Sequence, residues 1–232
     1  MPAASRSRTM NDPTAGDSGA GGGPPYLTRA ADFSDAAGIA AVHIAGWRAA
    51  YAGIIDEEYL EGLSDIRQAA HWAELLDRDG RAGATFIAET AGDGIVGFGD
   101  CGPERGAGGS TAGEITALYV LPARQRRGIG RALVASCARW LVEGGVTGLA
   151  IWVLADNGPA RSFCAALGGE TCESRPVRVA GATLNEVCYR WGELGGLAGP
   201  GRAPQAGGLL KPACPGRVRR LGYTLRPAWR NR

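Results

Sequence analysis

The chain has 232 residues, of which 45% are apolar, with 38 glycines, 13 prolines and a formal net charge of +2. That length fits one domain with loose ends, and that apolar share supports a packed core, so a wholly disordered chain is excluded. No stretch has the apolar run of a secretory signal or a bilayer span, so a soluble, cytoplasmic protein with no membrane partner is expected.

In chain order, residues 26–30 read as an opening strand. Asp32 or Ser34 suits the cap of a helix reaching about 51, with Ile39, Val42, Ile44, Trp47 and Tyr51 near one face. A single second helix is expected from about 56 into 67–76, with Trp72, Leu75 and Leu76 as core. Residues 84–90 and 95–101 read as strands joined by Ala91-Gly92-Asp93-Gly94, a hairpin signal. A loop follows over 102–113, then a central strand over 114–121. A helix over 127–143 turns Leu133, Val134, Cys137, Trp140 and Leu141 to the sheet. A strand at 149–154, a helix at 159–167 and a last clear strand at 185–191 complete the pattern.

The ends differ from this middle. Residues 195–232 hold eight basic residues and no acid, which leaves −6 on the remainder of a chain whose total is +2. Gly and Pro are frequent there, so this basic segment reads as a disordered tail. It would attract a polyanion only by charge, and nucleic acid is not expected as a partner. The expected organisation is an extension over 1–25, a domain over 26–194 and a tail over 195–232. The six cysteines (101, 137, 164, 172, 188 and 214) form no CxxC pair and read as reduced residues. With only His43 and His71 available, no metal site is expected.

Chemistry concentrates where the central strand, Ile115-Thr116-Ala117-Leu118-Tyr119-Val120-Leu121-Pro122, meets Gln125-Arg126-Arg127-Gly128-Ile129-Gly130-Arg131. A helix start leaves backbone N–H groups without partners and carries partial positive charge. Gly128 and Gly130 remove side-chain bulk, and Arg126, Arg127 and Arg131 add full charges. The combination suits a phosphate or pyrophosphate. A P-loop is excluded because the one lysine is Lys211. A dinucleotide-binding turn is excluded because Leu133 stands where its third glycine belongs.

The remaining pattern, QxxGxG after a strand ending Val-Leu-Pro, resembles motif A of the GNAT superfamily of N-acetyltransferases. Residues Asn157 to Gly169 are similar to that family's NxxAxxFYxxxGF segment, and residues 41–64 to its first helix and loop. The resemblance covers roughly 26–194. It implies an α/β (α+β) fold with a mixed, mostly antiparallel sheet, splayed at its central strands and flanked by helices. It also implies an enzyme that moves an acetyl group from acetyl-CoA to a primary amine, on a small molecule or a peptide, by direct attack in a ternary complex. Leu118, Tyr119 and Val120 would meet the pantetheine arm as a neighbouring strand does. Backbone groups from Arg126, Arg127, Gly128, Ile129, Gly130 and Arg131 would hold the pyrophosphate. Asn157 matches the family's pantetheine-contacting asparagine and equally suits a helix N-cap.

For the amine, Glu114 is the candidate base, with a solvated strand-end charge as its alternative; Glu89 ranks second. For the leaving thiolate, the family's tyrosine is replaced by Cys164, which is either the general acid or a small helix residue beside which the thiolate leaves unaided. Trp47, Tyr51 and Tyr59 could wall an acceptor pocket, and Asp56, Glu57 and Glu58 could draw a cation. The acceptor itself is not written in the sequence, and a homodimer is left open. A non-catalytic acyl-CoA-binding module is the alternative that the missing tyrosine sustains.

Overall fold

The computed structural model describes residues 26–105 and 112–198. The proposed N-terminal extension, part of the 102–113 loop and nearly all of the basic tail lie outside the described residues. The elements are β1 (Leu27–Ala30), α1 (Ala36–Tyr51), α2 (Glu57–Glu61), α3 (Asp65–Leu76), β2 (Ala84–Thr90), β3 (Gly94–Pro103), β4 (Ala112–Val120), α4 (Ile129–Glu143), β5 (Gly148–Leu154), α5 (Gly158–Ala166), β6 (Glu170–Val179), β7 (Ala182–Trp191) and α6 (Gly195–Ala198).

The strands form one sheet in the order β1-β2-β3-β4-β5-β7-β6. Only β4 and β5 run parallel; every other neighbouring pair is antiparallel. The expected mixed, mostly antiparallel sheet is therefore present. On the back face, α4 buries Leu133, Val134, Cys137 and Leu141 against Phe86, Val96, Ile115, Ile151 and Tyr189. On the front, α1 and α3 bury Ile39, Val42 and Trp72 against Ile87 and Phe98. Each fully buried side chain of this kind contributes roughly 1.5–3 kcal/mol, so the two layers carry the fold's stability. Among the described residues, no helix is long and apolar enough to cross a membrane.

Several expectations need correction. Asp32 caps a short 3-10 turn over Phe33–Asp35 through a reciprocal capping box, and α1 begins only after it. The single second helix is two: Gly62 closes α2, and Ser64 accepts from the Arg67 N–H to start α3. The β3 strand runs to Pro103, into the expected loop. The sequence reading missed β6, whose residues from Glu170 to Arg175 are all exposed. An edge strand of polar residues with a proline lacks the apolar alternation that marks half-buried strands. The proposed boundary at 194 is also too early. Leu197 and Ala198 pack on the α4 layer, and the Ala198 carbonyl accepts from Arg139 Nη1 at 3.1 Å.

Candidate active site

The β4 strand is paired on both sides for only part of its length. Residues Ala112 to Ile115 pair with Gly148 to Ile151 of β5, and there the pairing stops. β5 itself continues against β7 as far as Leu154. On the other side, β4 stays paired with β3 up to Val120. The break coincides with a bulge: Cys101 faces Ile115 while Asp100 faces Ala117, so Thr116 is an extra residue in β4. Bulges bend a strand and terminate pairing. The Thr116 hydroxyl is held by the Asp100 carboxylate, which fixes the bulge.

Beyond the bulge, β4 has an open edge. The Leu121 N–H donates to the Val96 carbonyl at 2.9 Å. Backbone groups alternate sides along a strand, so Tyr119 also turns its own to β3, while Leu118 and Val120 turn theirs to the open edge. The Val120 carbonyl accepts from Gln125 Nε2 at 3.1 Å, which ties the following turn to the strand end.

That turn is strained. Arg126 has φ 62° and Gly128 has φ 83°. The first is uncommon for a residue with a Cβ, and such conformations cluster at functional sites. Among the described residues, no side chain caps the first turn of α4, whose N-cap is Gly128. Its N–H groups therefore face outward beside the exposed Arg126, Arg127 and Arg131. Among the described residues, a Cβ on Gly128 would press on the Tyr26 hydroxyl, at 3.2 Å, and meet nothing else within 4 Å, so the turn is open except where Tyr26 closes one side. Gly130 has a different reason: a Cβ there would lie 3.3 Å from the Phe163 ring, so this glycine lets α5 pack on α4. The structure thus brings Leu118, Val120, the Arg126–Arg131 turn and the open edge to one end of the sheet.

The other expected residues fall differently. Asn157 caps α5: its Oδ1 accepts from the Ala160 N–H at 3.1 Å. Glu114 lies in the closed half of β4 and is 1% exposed. Both of its oxygens accept from Arg105, through the backbone N–H at 3.1 Å and Nε at 3.0 Å. It is neither solvated nor on the open edge. Glu89 sits on β2, two strands from β4, and pairs with Arg29 at 3.2 Å. Cys164 is 2% exposed within the back core, and burial pushes its thiol up to about 12. The Tyr119 side chain packs on the front, where its hydroxyl lies 3.1 Å from that of Tyr51. Burial pushes both phenols up.

The family model described as "Acetyltransferase (GNAT) family" matches residues 47–168, more than half of the chain. The chain belongs to the acetyltransferase (GNAT) family. Among curated relatives, it is 32% identical over 169 residues to an uncharacterized N-acetyltransferase, YuaI, of Bacillus subtilis (strain 168), covering 73% of this chain and 94% of that one. Among solved structures, it resembles a ribosomal-protein-alanine N-acetyltransferase from Brucella melitensis at 25% identity and TM-score 0.56, over 71% of this chain and 98% of that one. It also shares the fold of YncA, a putative acetyltransferase of Salmonella typhimurium solved with acetyl-CoA, at 21% identity and TM-score 0.53, over 78% and 99% of the two chains.

In this GNAT enzyme the front of the splay is lined by three ion pairs, of which the sequence reading singled out only Glu114. Arg81 pairs with Asp100, Arg105 with Glu114 and Arg175 with Glu186. Each acid is largely buried and each arginine partly exposed. The only signal was a charged residue inside an apolar strand. Beside them, Trp47, Ile55, Leu60, Leu154 and Val179 form an apolar cluster with Tyr51, Tyr59 and Tyr119 around it. A cleft lined by Arg48, Ile54, Asp56, Glu57 and Glu61 lies at the corner of α1 and α2. Here Asp56 also caps α2 by accepting from the Tyr59 N–H. Possible metal-ligating atoms gather at Cys172, Glu173 and Cys188, within 4.8 Å of one another, but Arg190 already pairs with Glu173 at 3.4 Å.

Proposed function

We propose that this GNAT enzyme moves the acetyl group of acetyl-CoA to a primary amine by direct attack, with both substrates bound. One observation carries the reading: a central strand loses its parallel partner at a bulge, immediately before an uncapped, arginine-flanked helix start. Acetyl-CoA supplies an activated thioester and a diphosphate handle, and both halves of the site suit it. The Arg126–Arg131 turn offers backbone N–H groups and positive charge to the diphosphate. Leu118 and Val120 offer the backbone groups of a strand edge to the amide-bearing arm. A Leu118 N–H aimed at the carbonyl oxygen stabilises the charge that develops there. Asn157 keeps its amide NH₂ for the same arm while its oxygen caps α5.

Proton handling follows from the burial pattern. Freeing a lysine-type amine of its proton at pH 7 costs roughly 4–5 kcal/mol, and an α-amine near pKa 8 costs about 1. Glu114, enclosed and held by Arg105, acts by positioning that arginine at the base of the splay, and water at the mouth takes the amine proton. Cys164 is a packing residue. A thiol near 12 would be a poor donor to a less basic thiolate, so the thiolate leaves into the solvated end of the splay.

The test is CoA release against a panel of primary amines, paired with calorimetric titration of acetyl-CoA. Saturable binding with turnover on at least one amine is expected. Binding with no turnover on any amine would favour a non-catalytic acyl-CoA module.

A further inference from the structure

Glu186 lies opposite Leu154 of β5 and Arg175 of β6, three residues past Ile151, where β4 leaves β5. Residues paired across antiparallel strands share a face. Leu154 packs in the front cluster with Trp47, Ile55, Leu60 and Val179, so Glu186 faces the same side at the level of the open edge. Its side chain is 3% exposed. Burial pushes the Tyr51 phenol up against the opposing hydrogen bond to Tyr119, and the Glu186 charge, within electrostatic reach, adds to the rise.

The cation that Glu186 holds is unusual for this molecule. Arg175 Nε donates to Glu186 Oε1 at 2.6 Å, and its guanidinium carbon stands 3.7 Å from the centroid of the Trp152 ring. The arginines on the other buried front-face acids, Arg81 and Arg105, are 16% and 26% exposed, whereas Arg175 is 47% exposed. It stands on the edge strand β6, whose neighbouring residues are solvated. A buried carboxylate needs a cation. Here the cation comes from the side open to solvent, on a side chain with many rotamers.

We propose that Trp152 and Glu186 form a subsite for a second cation on the acceptor, and that Arg175 occupies it until the acceptor enters. An ammonium or guanidinium group from solution can take the same two contacts, the ring face and the carboxylate. The inference rests on the acetyltransferase reading of the splay and adds a substrate class to it: a primary amine joined by a short aliphatic linker to another cationic group. Such an acceptor also eases its own chemistry, because a nearby positive charge disfavours the protonated amine. That matters in a site whose buried carboxylate Glu114 is already engaged.

The test titrates agmatine, which carries a guanidinium and a primary amine, and n-butylamine, which carries the amine alone, into the full chain saturated with CoA. Agmatine is expected to bind at least tenfold more tightly. Glu186→Gln erases the preference, and Arg175→Ser, which empties the subsite, tightens agmatine binding severalfold relative to n-butylamine. Equal affinity for the two amines, or no saturable binding of either, overturns the proposal. So does a preference that survives Glu186→Gln in folded protein. If Glu186→Gln fails to fold, Arg175→Ser decides: unchanged or weaker agmatine binding is contradictory. CoA affinity, measured alone, reports separately on the acetyltransferase reading.

Discussion

The two halves of β4 contain similar residues and do opposite things. From Ala112 to Ile115 the strand has a partner on each side, and its one charged residue, Glu114, is sealed in with Arg105. From Thr116 to Val120 it has a partner on one side only, and the backbone of Leu118 and the Val120 N–H turn to the open edge, while Gln125 holds the Val120 carbonyl. One extra residue, Thr116, divides them. The closed half fixes the geometry, and the open half exposes backbone groups that no neighbouring strand takes up. Backbone groups without a strand partner are free to pair with a bound molecule, which is the use proposed for them.

That contrast can be broken at its closed end first. Glu114→Gln removes one partner of a buried ion pair, and such losses cost about 3–5 kcal/mol. Denaturant melts should show that loss, while kcat falls less than tenfold. A hundredfold fall in kcat that recovers as pH rises would make Glu114 the base.

The wall behind the open half carries a pH dependence. His43 packs on Tyr119 with ring centroids 5.0 Å apart, and its Nδ1 accepts from Trp72 Nε1 at 3.2 Å and faces Gln68 Nε2 at 2.8 Å. Burial, helped slightly by His71, pushes it down to about 3. The unfolded chain therefore takes up a proton near pH 6.5 that the folded chain refuses. The stabilisation is complete above that pH and is lost as pH falls toward 3. Between pH 7 and 5 the folded state should lose about 1–2 kcal/mol through this group. In urea melts at both pH values, His43→Gln should flatten that decline; an unchanged decline would show that His43 is not its source.

Smaller effects sharpen the picture. Cys164→Ala should cost about 1 kcal/mol of stability, near the value of one buried methylene. Turnover should fall less than tenfold, and a loss above a hundredfold in folded protein would restore the thiol as the acid. Replacing Arg127 by Ala should weaken acetyl-CoA binding severalfold and reduce its salt sensitivity, because exposed charges act through screened attraction. Identical salt dependence in the variant would place the diphosphate elsewhere.

Most of this fold was legible because its core strands and helices carry strong periodicity. Residues 84–90 and 95–101 are apolar runs around a Gly-Asp-Gly turn, and Leu133, Val134, Cys137 and Leu141 repeat at helical spacing. The glycine–arginine turn was legible because only a few motifs need that spacing. β6 was not, because an exposed edge strand has no buried face to set a pattern. The break between α2 and α3 was hidden because Gly62 and Ser64 end and start helices within a stretch of otherwise good helix formers. For Glu114 the sequence leaves a base and a solvated strand-end charge as alternatives and does not reveal Arg105, which reaches it from just beyond the paired strand β3. Glu186, Arg175 and Trp152 meet only once three strands are aligned, which no local pattern encodes.

The central claim is that the turn after β4 wraps a diphosphate. Its most direct test is calorimetric titration of acetyl-CoA into wild type and Gly128→Val. A β-branched residue at φ 83° is strained and fills the open space above the turn. The account predicts saturable binding to wild type and a loss of about a hundredfold, or about 2.7 kcal/mol, in the folded variant. Undiminished affinity in Gly128→Val, or no binding to well-folded wild type, would contradict it.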